Sequence, residues 1–218
     1  MILKGLVMNI IAFSLWGDVP KYTIGAVRNA ELAKEIYPGW VCRFYIGNDV
    51  PLDIVDCLKK EGAEIVEFGE SGWNGMFWRF FAADNHDGVM ISRDTDSRLS
   101  AREKAAVDEW LASDKDFHIM RDHPYHQTEI LGGMWGVRNG LLKDIRRMIV
   151  GYNTGDFDNK YQVDQNFLRE VVYPLVRDHS IVHDEYFMDP DRRPFPVKRQ
   201  FAGDFVGQVY NEHEEMQF

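Results

Sequence analysis

The most informative stretch for the fold is Val89-Met90-Ile91-Ser92-Arg93-Asp94-Thr95-Asp96. Its first residues read as a short apolar strand, and two aspartates follow the end of that strand. In a parallel sheet this position is the carboxyl edge, where open α/β folds bind their ligands. Residues two apart on an extended backbone point the same way, so Asp94 and Asp96 are predicted to face one cation. Carboxylate oxygens suit Mg²⁺ or Mn²⁺, which also bridge phosphate groups. The alternative is that the aspartates cap the next helix, a role that Ser100 already fills.

The D-x-D pattern is weak by itself, since the sequence contains three further copies, beginning at Asp114, Asp156 and Asp189. The copy at Asp114 stands at the end of a predicted helix, where charge is solvated. The other two lie among Gly, Asn and Pro, where aspartate is ordinary turn chemistry. Only the copy at Asp94 follows an apolar strand, and we therefore place the metal site there.

Around this segment, predicted strands alternate with predicted helices. The apolar runs indicate strands over residues 8–15, 41–46, 63–68, 89–92, 117–120, 130–137 and 180–183. Helical spacing and capping signals indicate helices over 22–35, 51–61, 76–83, 141–150 and 163–175, and one after the Ser100–Glu103 capping box. This order predicts an α/β fold with a mostly parallel central sheet and helices on both faces. We expect one domain over residues 1–218, with an irregular tail or lid from 188 to 218.

The composition limits the possible functions. The chain has 218 residues, 45% of them hydrophobic, and a formal charge of −10. Such a charge argues against non-specific nucleic-acid binding, which needs basic surface, although a metal ion or local basic pocket can still bind a phosphorylated small molecule. Cys42 and Cys57 are predicted to be free, buried thiols. No run reaches the roughly 20 apolar residues of a membrane-spanning helix, and the cytoplasm is the predicted compartment.

Several motifs, in the right order, resemble the GT-A glycosyltransferases. Residues 77–96 resemble their helix–strand–DxD unit, in which an arginine, here Arg79, lies about fifteen residues before the metal-binding aspartates. Residues 130–136 resemble the glycine-containing strand that lines the sugar pocket. Val163-Asp164-Gln165 is similar to the "DQ" helix start of glycogenin-like and galactosyltransferase-like members. Small glycosyltransferase-like proteins of large algal viruses and of bacteria carry similar RDTDSRL and GGMWG runs. The resemblance spans about residues 8–184.

The sequence also departs from the pattern of these enzymes. Asn166 stands where the glycogenin-like group usually has another aspartate. His183 is followed by Asp184 and Glu185 rather than by a glycine-and-lysine motif. The subfamily, the donor sugar and the stereochemical outcome therefore stay open.

The resemblance implies a metal-dependent glycosyltransferase that moves a sugar from a nucleotide-diphosphate donor, a UDP-sugar by preference, to a glycan or other hydroxyl acceptor. Asp94 and Asp96, with His183 as third ligand, would hold Mn²⁺ or Mg²⁺ against the diphosphate. A packed or surface histidine is the alternative for His183.

For the catalytic group, the resemblance points to Asp164, near the anomeric carbon. In an inverting enzyme Asp164 would be the general base. In a retaining enzyme Asp164 would bind hydroxyls of the donor sugar, and Gln165 would lie beside the face of the sugar from which the nucleotide departs. The alternative is an ordinary acid at a helix start, where the helix dipole favours it. Asp122 is the reserve candidate for the base.

Residues after the first strand, where GT-A proteins place the nucleoside, form the predicted donor site. Leu15 and Trp16 would line it, and Tyr22 would stack on the base, unless these side chains belong to the core. Arg79 would meet the diphosphate or the sugar, or pair with a nearby carboxylate.

The remaining predicted contacts lie later in the chain. Gly132 and Gly133 would let the backbone approach the sugar, and Trp135 would stack on a pyranose ring or join the core. Lys198 belongs to a basic cluster at 192–199 that would close over the diphosphate, or form a surface turn. His123 and His126 are predicted loop residues.

Two other classes of function compete with this hypothesis. An aspartate-dependent phosphohydrolase also uses D-x-D after a strand, although normally the first strand rather than the fourth. The second competing class is a protein that binds a nucleotide or carbohydrate without turnover.

Overall fold

The computed structural model describes residues 8–152, 162–187 and 190–217. Within these residues the chain forms eight strands: β1 Ile10–Leu15, β2 Val41–Ile46, β3 Glu64–Glu67, β4 Met90–Ser92, β5 Phe117–Arg121, β6 Trp135–Val137, β7 Ser180–Asp184 and β8 Arg192–Arg193. The α-helices are α1 Pro20–Ile36, α2 Leu52–Lys60, α3 Ala101–Ala112, α4 Ile145–Tyr152, α5 Val163–Phe167 and α6 Tyr173–Val176. A 3-10 helix spans Trp73–Ala83, a π-helical turn, Leu168–Val172, joins α5 to α6, and a short 3-10 turn, Arg177–His179, precedes β7.

The strands form one sheet in the order β3-β2-β1-β4-β6-β5-β7-β8. All neighbouring pairs are parallel except those of β6, which runs antiparallel to both β4 and β5. The predicted α/β class with a mostly parallel sheet is thus confirmed. The antiparallel strand brings the loop before β6 to the carboxyl edge of β4.

Apolar side chains cover both faces of the sheet, as predicted. Alternation along β1 sends Ile10 and Ala12 to the face covered by the 3-10 helix, α4 and α5. The same alternation sends Ile11, Phe13 and Leu15 to the face covered by α1, α2 and α3. Because each face is buried, the register of β1 is fixed: a slip by one residue would exchange its two sets of side chains.

Several predicted elements differ from the structure in type or length. The predicted helix over 141–150 begins only at Ile145, and the predicted helix over 163–175 is interrupted by the π-helical turn Leu168–Val172. The predicted α-helix over 76–83 is a 3-10 helix that begins at Trp73. The predicted strand over 130–137 forms only at Trp135–Val137, because the preceding residues turn away from the sheet, with the Met134 N–H donating to the Leu131 carbonyl. The glycine pair of this segment therefore lies in a loop.

The C-terminal tail packs against the sheet. Arg192–Arg193 extends the sheet as β8, so the prediction of a wholly irregular tail is wrong at this point. Phe195 and Val206 are buried, and the Tyr210 N–H donates to the Asp96 carbonyl at 2.8 Å. This packing places the tail beside the D-x-D segment.

Both cysteines are free, as predicted. Cys42 is buried in β2, but Cys57 is exposed, and its predicted burial is wrong. Helix α2 buries Val55 and Leu58, which leaves Cys57 on its outer side. Among the described residues, no helix combines the length and apolar character that crossing a bilayer requires.

Candidate active site

Asp94 and Asp96 follow β4 at the carboxyl edge of the sheet, as the sequence predicts. They do not cap the next helix, because the Ser100 hydroxyl accepts the Glu103 N–H at the start of α3. The side chain of Asp94 is 43% exposed and that of Asp96 16%. Asp114 is also exposed, at the end of α3, whereas Asp156 and Asp189 lie outside the described residues.

Arg79 joins two of the predicted site residues. Its Nη1 lies 2.5 Å from Oδ1 of Asp94, and its Nη2 lies 3.1 Å from Oδ2 of Asp164. The arginine is buried, and its backbone N–H donates to the Ser14 hydroxyl at 2.9 Å. Since Ser14 belongs to β1, this hydrogen bond ties the backbone of Arg79 to a strand inside the sheet. The structure thus shows the carboxylate pairing that was the alternative prediction for Arg79.

Gly132 and Gly133 make room for this ion-paired cluster. A Cβ on Gly132 would lie 2.4 Å from Nη2 of Arg79 and 2.8 Å from Oδ2 of Asp164. A Cβ on Gly133 would lie 2.0 Å from Oδ2 of Asp94. The Ser92 hydroxyl holds the loop by donating to the Gly132 carbonyl at 2.7 Å. The pair is therefore needed for the approach of Arg79 and the two carboxylates.

Asp164 lies in the first turn of α5 and is 4% exposed. Its Oδ1 accepts the Gln165 N–H at 2.9 Å, so the contact uses the backbone of Gln165. Burial raises the pKa of Asp164; Arg79 opposes the rise and the negative charge of Asp94 adds to it. A buried carboxylate with a raised pKa is a stronger proton acceptor than an exposed one.

Lys21 contacts the second aspartate, which the sequence did not indicate. Its Nζ lies 3.2 Å from Oδ2 of Asp96 and 4.6 Å from the ring centre of Tyr22. Burial raises the pKa of Asp96, repulsion from Asp94 raises it further, and Lys21 lowers it. The one available signal was position: Lys21 lies in the first turn of the helix that follows β1, and the carboxyl end of β1 adjoins that of β4.

The residues predicted to line the nucleoside differ in exposure. Leu15 is 1% exposed and packs in the core on the α1 side of the sheet. Trp16 is half-buried and meets Trp78 edge to face at 6.4 Å. Tyr22 is 36% exposed. Trp16 and Tyr22 are therefore accessible beside the carboxyl edge of β1, whereas the side chain of Leu15 is not.

Trp135 and Lys198 lie in opposite environments. Trp135 is fully buried, stacked on Phe117 at 5.4 Å and edge to face with Phe80 at 5.3 Å. Because its β-strand position points into the core, Trp135 does not present a face to a sugar, and the core alternative holds. Lys198 is exposed in the tail.

Asp122 is a fully buried ion-pair centre. Its Oδ1 accepts from Nη2 of Arg102 at 2.8 Å and from Nη2 of Arg199 at 2.9 Å. Its Oδ2 accepts from Nε of Arg102 at 2.7 Å and from the Val206 N–H at 2.9 Å. Since each oxygen already accepts two hydrogen bonds, Asp122 has no free acceptor site in this arrangement. The contacts instead tie the tail to β5, which does not support the reserve role of general base.

His183 lies away from the aspartates. It is fully buried in β7, with Nδ1 2.8 Å from Nε2 of His118 and Nε2 3.5 Å from a carboxylate oxygen of Glu109. Strands β6 and β5 separate β7 from β4. The structure does not bring His183 to Asp94 and Asp96, and in the part of the chain that it describes no three His, Cys, Asp or Glu side chains are grouped as a metal site.

His126 is half-buried in the loop that follows β5. Its Nδ1 accepts the Asp122 N–H at 3.0 Å, so that nitrogen carries no proton. Burial and, to a smaller extent, repulsion from His123 lower the pKa of His126 to about 4, although Asp122 and Asp94 oppose the change. The loop sequence gave no indication of this burial, which depends on the tail folding over the loop at Gly207.

Asp94 and Asp96 nevertheless fit a divalent cation. Each supplies hard oxygen donors, and their mutual repulsion, which raises the pKa of Asp96, is what a cation would relieve. Mg²⁺-like ions are commonly bound by one or two carboxylates, with water and substrate phosphates completing the shell. A third protein ligand is therefore not required.

Comparisons with known proteins agree with this architecture. No protein-family model matches the chain, and no curated protein is similar to it in sequence. Among solved structures, glucosyl-3-phosphoglycerate synthase from Mycobacterium tuberculosis, in complex with Mn²⁺, UDP and phosphoglyceric acid, aligns with a TM-score of 0.50 and 13% identity. The alignment covers 82% of this chain and 69% of that one. This chain has a GT-A fold.

Two further solved structures align less well. A glycosyltransferase involved in glycosylation of the major capsid of PBCV-1 is 18% identical, with a TM-score of 0.47 over 81% of both chains. Mannosyl-3-phosphoglycerate synthase from Rubrobacter xylanophilus is 13% identical, with a TM-score of 0.43 over 62% of this chain and 55% of that one. At these identities the likeness concerns the fold, and function must be inferred from the site.

Proposed function

We propose that the chain is a metal-dependent glycosyltransferase that transfers a sugar from a UDP-sugar to a hydroxyl group of a glycan or small molecule. The observation that carries the proposal is the chain of contacts Asp94–Arg79–Asp164 at the carboxyl edge of β4. It links a carboxylate suited to a cation with a buried carboxylate suited to proton transfer, in a fold that binds ligands at that edge.

Asp94 and Asp96 are the residues that would hold Mn²⁺ or Mg²⁺. When bound, such an ion offsets the charge that develops on a leaving diphosphate. The mycobacterial neighbour was crystallised with both Mn²⁺ and UDP, which supports this choice of cofactor and nucleotide.

Asp164 is the proposed catalytic residue. Its raised pKa favours proton uptake, and Arg79 and the Gln165 N–H fix its two oxygens. In an inverting reaction it would take the proton of the acceptor hydroxyl. In a retaining reaction it would instead hold donor hydroxyls, so the anomeric configuration of the product distinguishes the two roles.

Trp16 and Tyr22 would bind the nucleoside. Both lie beyond β1, and the exposed ring of Tyr22 offers a face on which a base would stack. The two free thiols fit the cytoplasm as the compartment of the reaction.

A thermal-shift titration tests the proposal, using UDP and GDP, each with and without Mn²⁺. Ligand that binds only the folded state raises the midpoint, and we expect a rise with UDP and Mn²⁺ together that greatly exceeds either alone. Asp96→Ala should abolish this synergy, while Asp114→Ala, in another D-x-D copy, should retain it.

Turnover separates the proposal from its rivals. Release of UDP from UDP-sugars with Mn²⁺ and an acceptor is expected, without phosphate release from a phosphate ester. Phosphate release alone would indicate a phosphohydrolase. Synergistic binding with no turnover across donors and acceptors would indicate a non-catalytic binding protein.

A further inference from the structure

Each aspartate of the D-x-D segment contacts a basic side chain. Asp94 pairs with Arg79 at 2.5 Å, and Asp96 pairs with Lys21 at 3.2 Å. An ammonium group at hydrogen-bond distance from Asp96 occupies space that a cation bound to the same carboxylate would need. Arg79 and Lys21 therefore either compete with the ion that the proposed function requires or move when that ion binds.

The two basic side chains differ in their freedom to move. Arg79 is buried, its side chain is 10% exposed, and it also pairs with Asp164. Lys21 has a side chain that is 27% exposed, in the first turn of α1, and its other contact is the face of Tyr22. The flexible four-carbon stem of a lysine can move without backbone change. Lys21 is thus the group able to leave its aspartate.

We infer that Lys21 couples the binding of the metal to the binding of the donor diphosphate, an inference that rests on the proposed function. Without ligand, Lys21 neutralises Asp96. A divalent ion at Asp96 repels the ammonium, and a diphosphate held by that ion offers the displaced ammonium a new anionic partner. Metal alone must therefore break the ion pair between Lys21 and Asp96 without replacing it. When metal and diphosphate bind together, the contact of Lys21 with the diphosphate replaces the lost ion pair.

Such coupling is reciprocal: UDP tightens Mn²⁺ binding by the same factor by which Mn²⁺ tightens UDP binding. Removing the ammonium should tighten Mn²⁺ binding in the absence of nucleotide, because the competitor is gone. It should weaken UDP binding in the presence of Mn²⁺, because the phosphate partner is gone. A lysine with only a structural role would change stability but not this factor.

The test measures Mn²⁺ binding by the loss of the electron paramagnetic resonance signal of the free ion, with and without UDP. The variants are Lys21→Met, Lys21→Arg and the matched control Lys34→Met, which removes a lysine of the same helix that pairs with Glu61 at 2.7 Å. We expect UDP to tighten Mn²⁺ binding about tenfold or more in the wild type and in Lys34→Met, within the usual range of coupling. In Lys21→Met the factor should fall below about threefold, with tighter Mn²⁺ binding without UDP. Lys21→Arg should restore part of the factor.

The possible results are separable. An unchanged factor in Lys21→Met, with wild-type coupling intact, would overturn the role of Lys21 and leave the proposed function standing. Absence of any Mn²⁺ and UDP binding by the wild type would overturn both. Thermal midpoints of all variants, measured without ligand, identify any loss of folding. If Lys21→Met is unfolded, the coupling factor of Lys21→Arg decides: a partly retained factor supports the inference, and loss of the factor despite the retained charge contradicts it.

Discussion

Gly133 lies so close to Asp94 that a Cβ at Gly133 would come within 2.0 Å of the carboxylate oxygen Oδ2 and 2.9 Å of the backbone nitrogen. The lack of a side chain at Gly133 thus allows the carboxylate of Asp94, at the end of β4, to take its position. The loop before β6 and the end of β4 form a single surface, and changes in the loop should act on Asp94.

Gly133→Ala should displace the Asp94 carboxylate and so disrupt the proposed metal site. Overpacking of a tight site costs about 1–3 kcal/mol, and we expect the free energy of unfolding to fall within this range. The synergy between Mn²⁺ and UDP should be lost in the variant that remains folded. Denaturant unfolding and ligand titration check the two effects. Gly151→Ala, on α4, is the control, since a Cβ there meets nothing within 4 Å; full synergy in Gly133→Ala would contradict the close contact.

Asp164→Asn should stop transfer while preserving the fold. Positioned acid–base catalysis contributes typically about 10²–10⁴-fold, and kcat should fall by that order. Burial, which raises the pKa of Asp164, makes its ionised form unfavourable in the folded protein. Because Arg79 keeps its pairing with Asp94 in the variant, the free energy of unfolding at pH 7 should not decrease. Binding of UDP with Mn²⁺ should persist, and an unchanged kcat in the folded variant would refute a catalytic role.

Asp122→Asn should act on stability. The change leaves the buried guanidinium of Arg102 without its two-point partner, and removing one member of a buried pair typically costs about 3–5 kcal/mol. The tail should also become more sensitive to proteolysis, since the amide keeps only one acceptor oxygen for the hydrogen bonds that Arg199 and Val206 donate to the two carboxylate oxygens. Unfolding and limited proteolysis measure both effects, with Asp114→Asn as control. If transfer vanished with stability unchanged, the role of general base would return to Asp122.

His126 predicts a dependence of stability on pH. Its pKa is about 4 in the folded protein, against an ordinary value of 6.5. Between these values the unfolded chain binds more protons, so acidification through this window favours unfolding. His126→Gln lacks this effect but also loses the hydrogen bond from Asp122 at every pH.

The difference between wild type and His126→Gln should therefore depend on pH. At pH 7 the wild type should be more stable by about 1 kcal/mol, the value of one hydrogen bond. Toward pH 4 the difference should change by at least about 1.4 kcal/mol in favour of the variant, equivalent to one pH unit of pKa difference, so that its sign reverses. Urea unfolding across pH 4–7 measures it, with the exposed His213→Gln as control. A constant difference would show that His126 titrates normally.

Much of the fold was predictable because buried strands leave clear apolar runs. Strand β2 was predicted with its observed bounds, and Asp94 was placed at a strand end because Val89–Ile91 is apolar. The segment 130–137 misled the prediction, since its glycines and apolar residues suit either a strand or a tight loop. Only the pairing with β4 and β5 shows that three residues form the strand.

The site was predictable where a residue type had a recognisable place in a motif, and not where burial decided the outcome. Asp94, Arg79 and Asp164 come together as the motif order suggested. Trp135 is in the core, although its chemistry suits a sugar equally well. The position of His183 depends on the order of strands β4, β6, β5 and β7 in the sheet. The contact of Lys21 with Asp96 depends on the adjacency of β1 and β4. Local sequence does not encode either of these strand arrangements.

The most direct measurement is anomalous diffraction at the manganese edge from a crystal grown with Mn²⁺ and UDP. We predict one strong peak in contact with carboxylate oxygens of the two aspartates beyond β4, with the nucleotide diphosphate on its other side. A peak elsewhere, or a bound nucleotide with both carboxylates still paired only to Lys21 and Arg79, would contradict the proposed metal site.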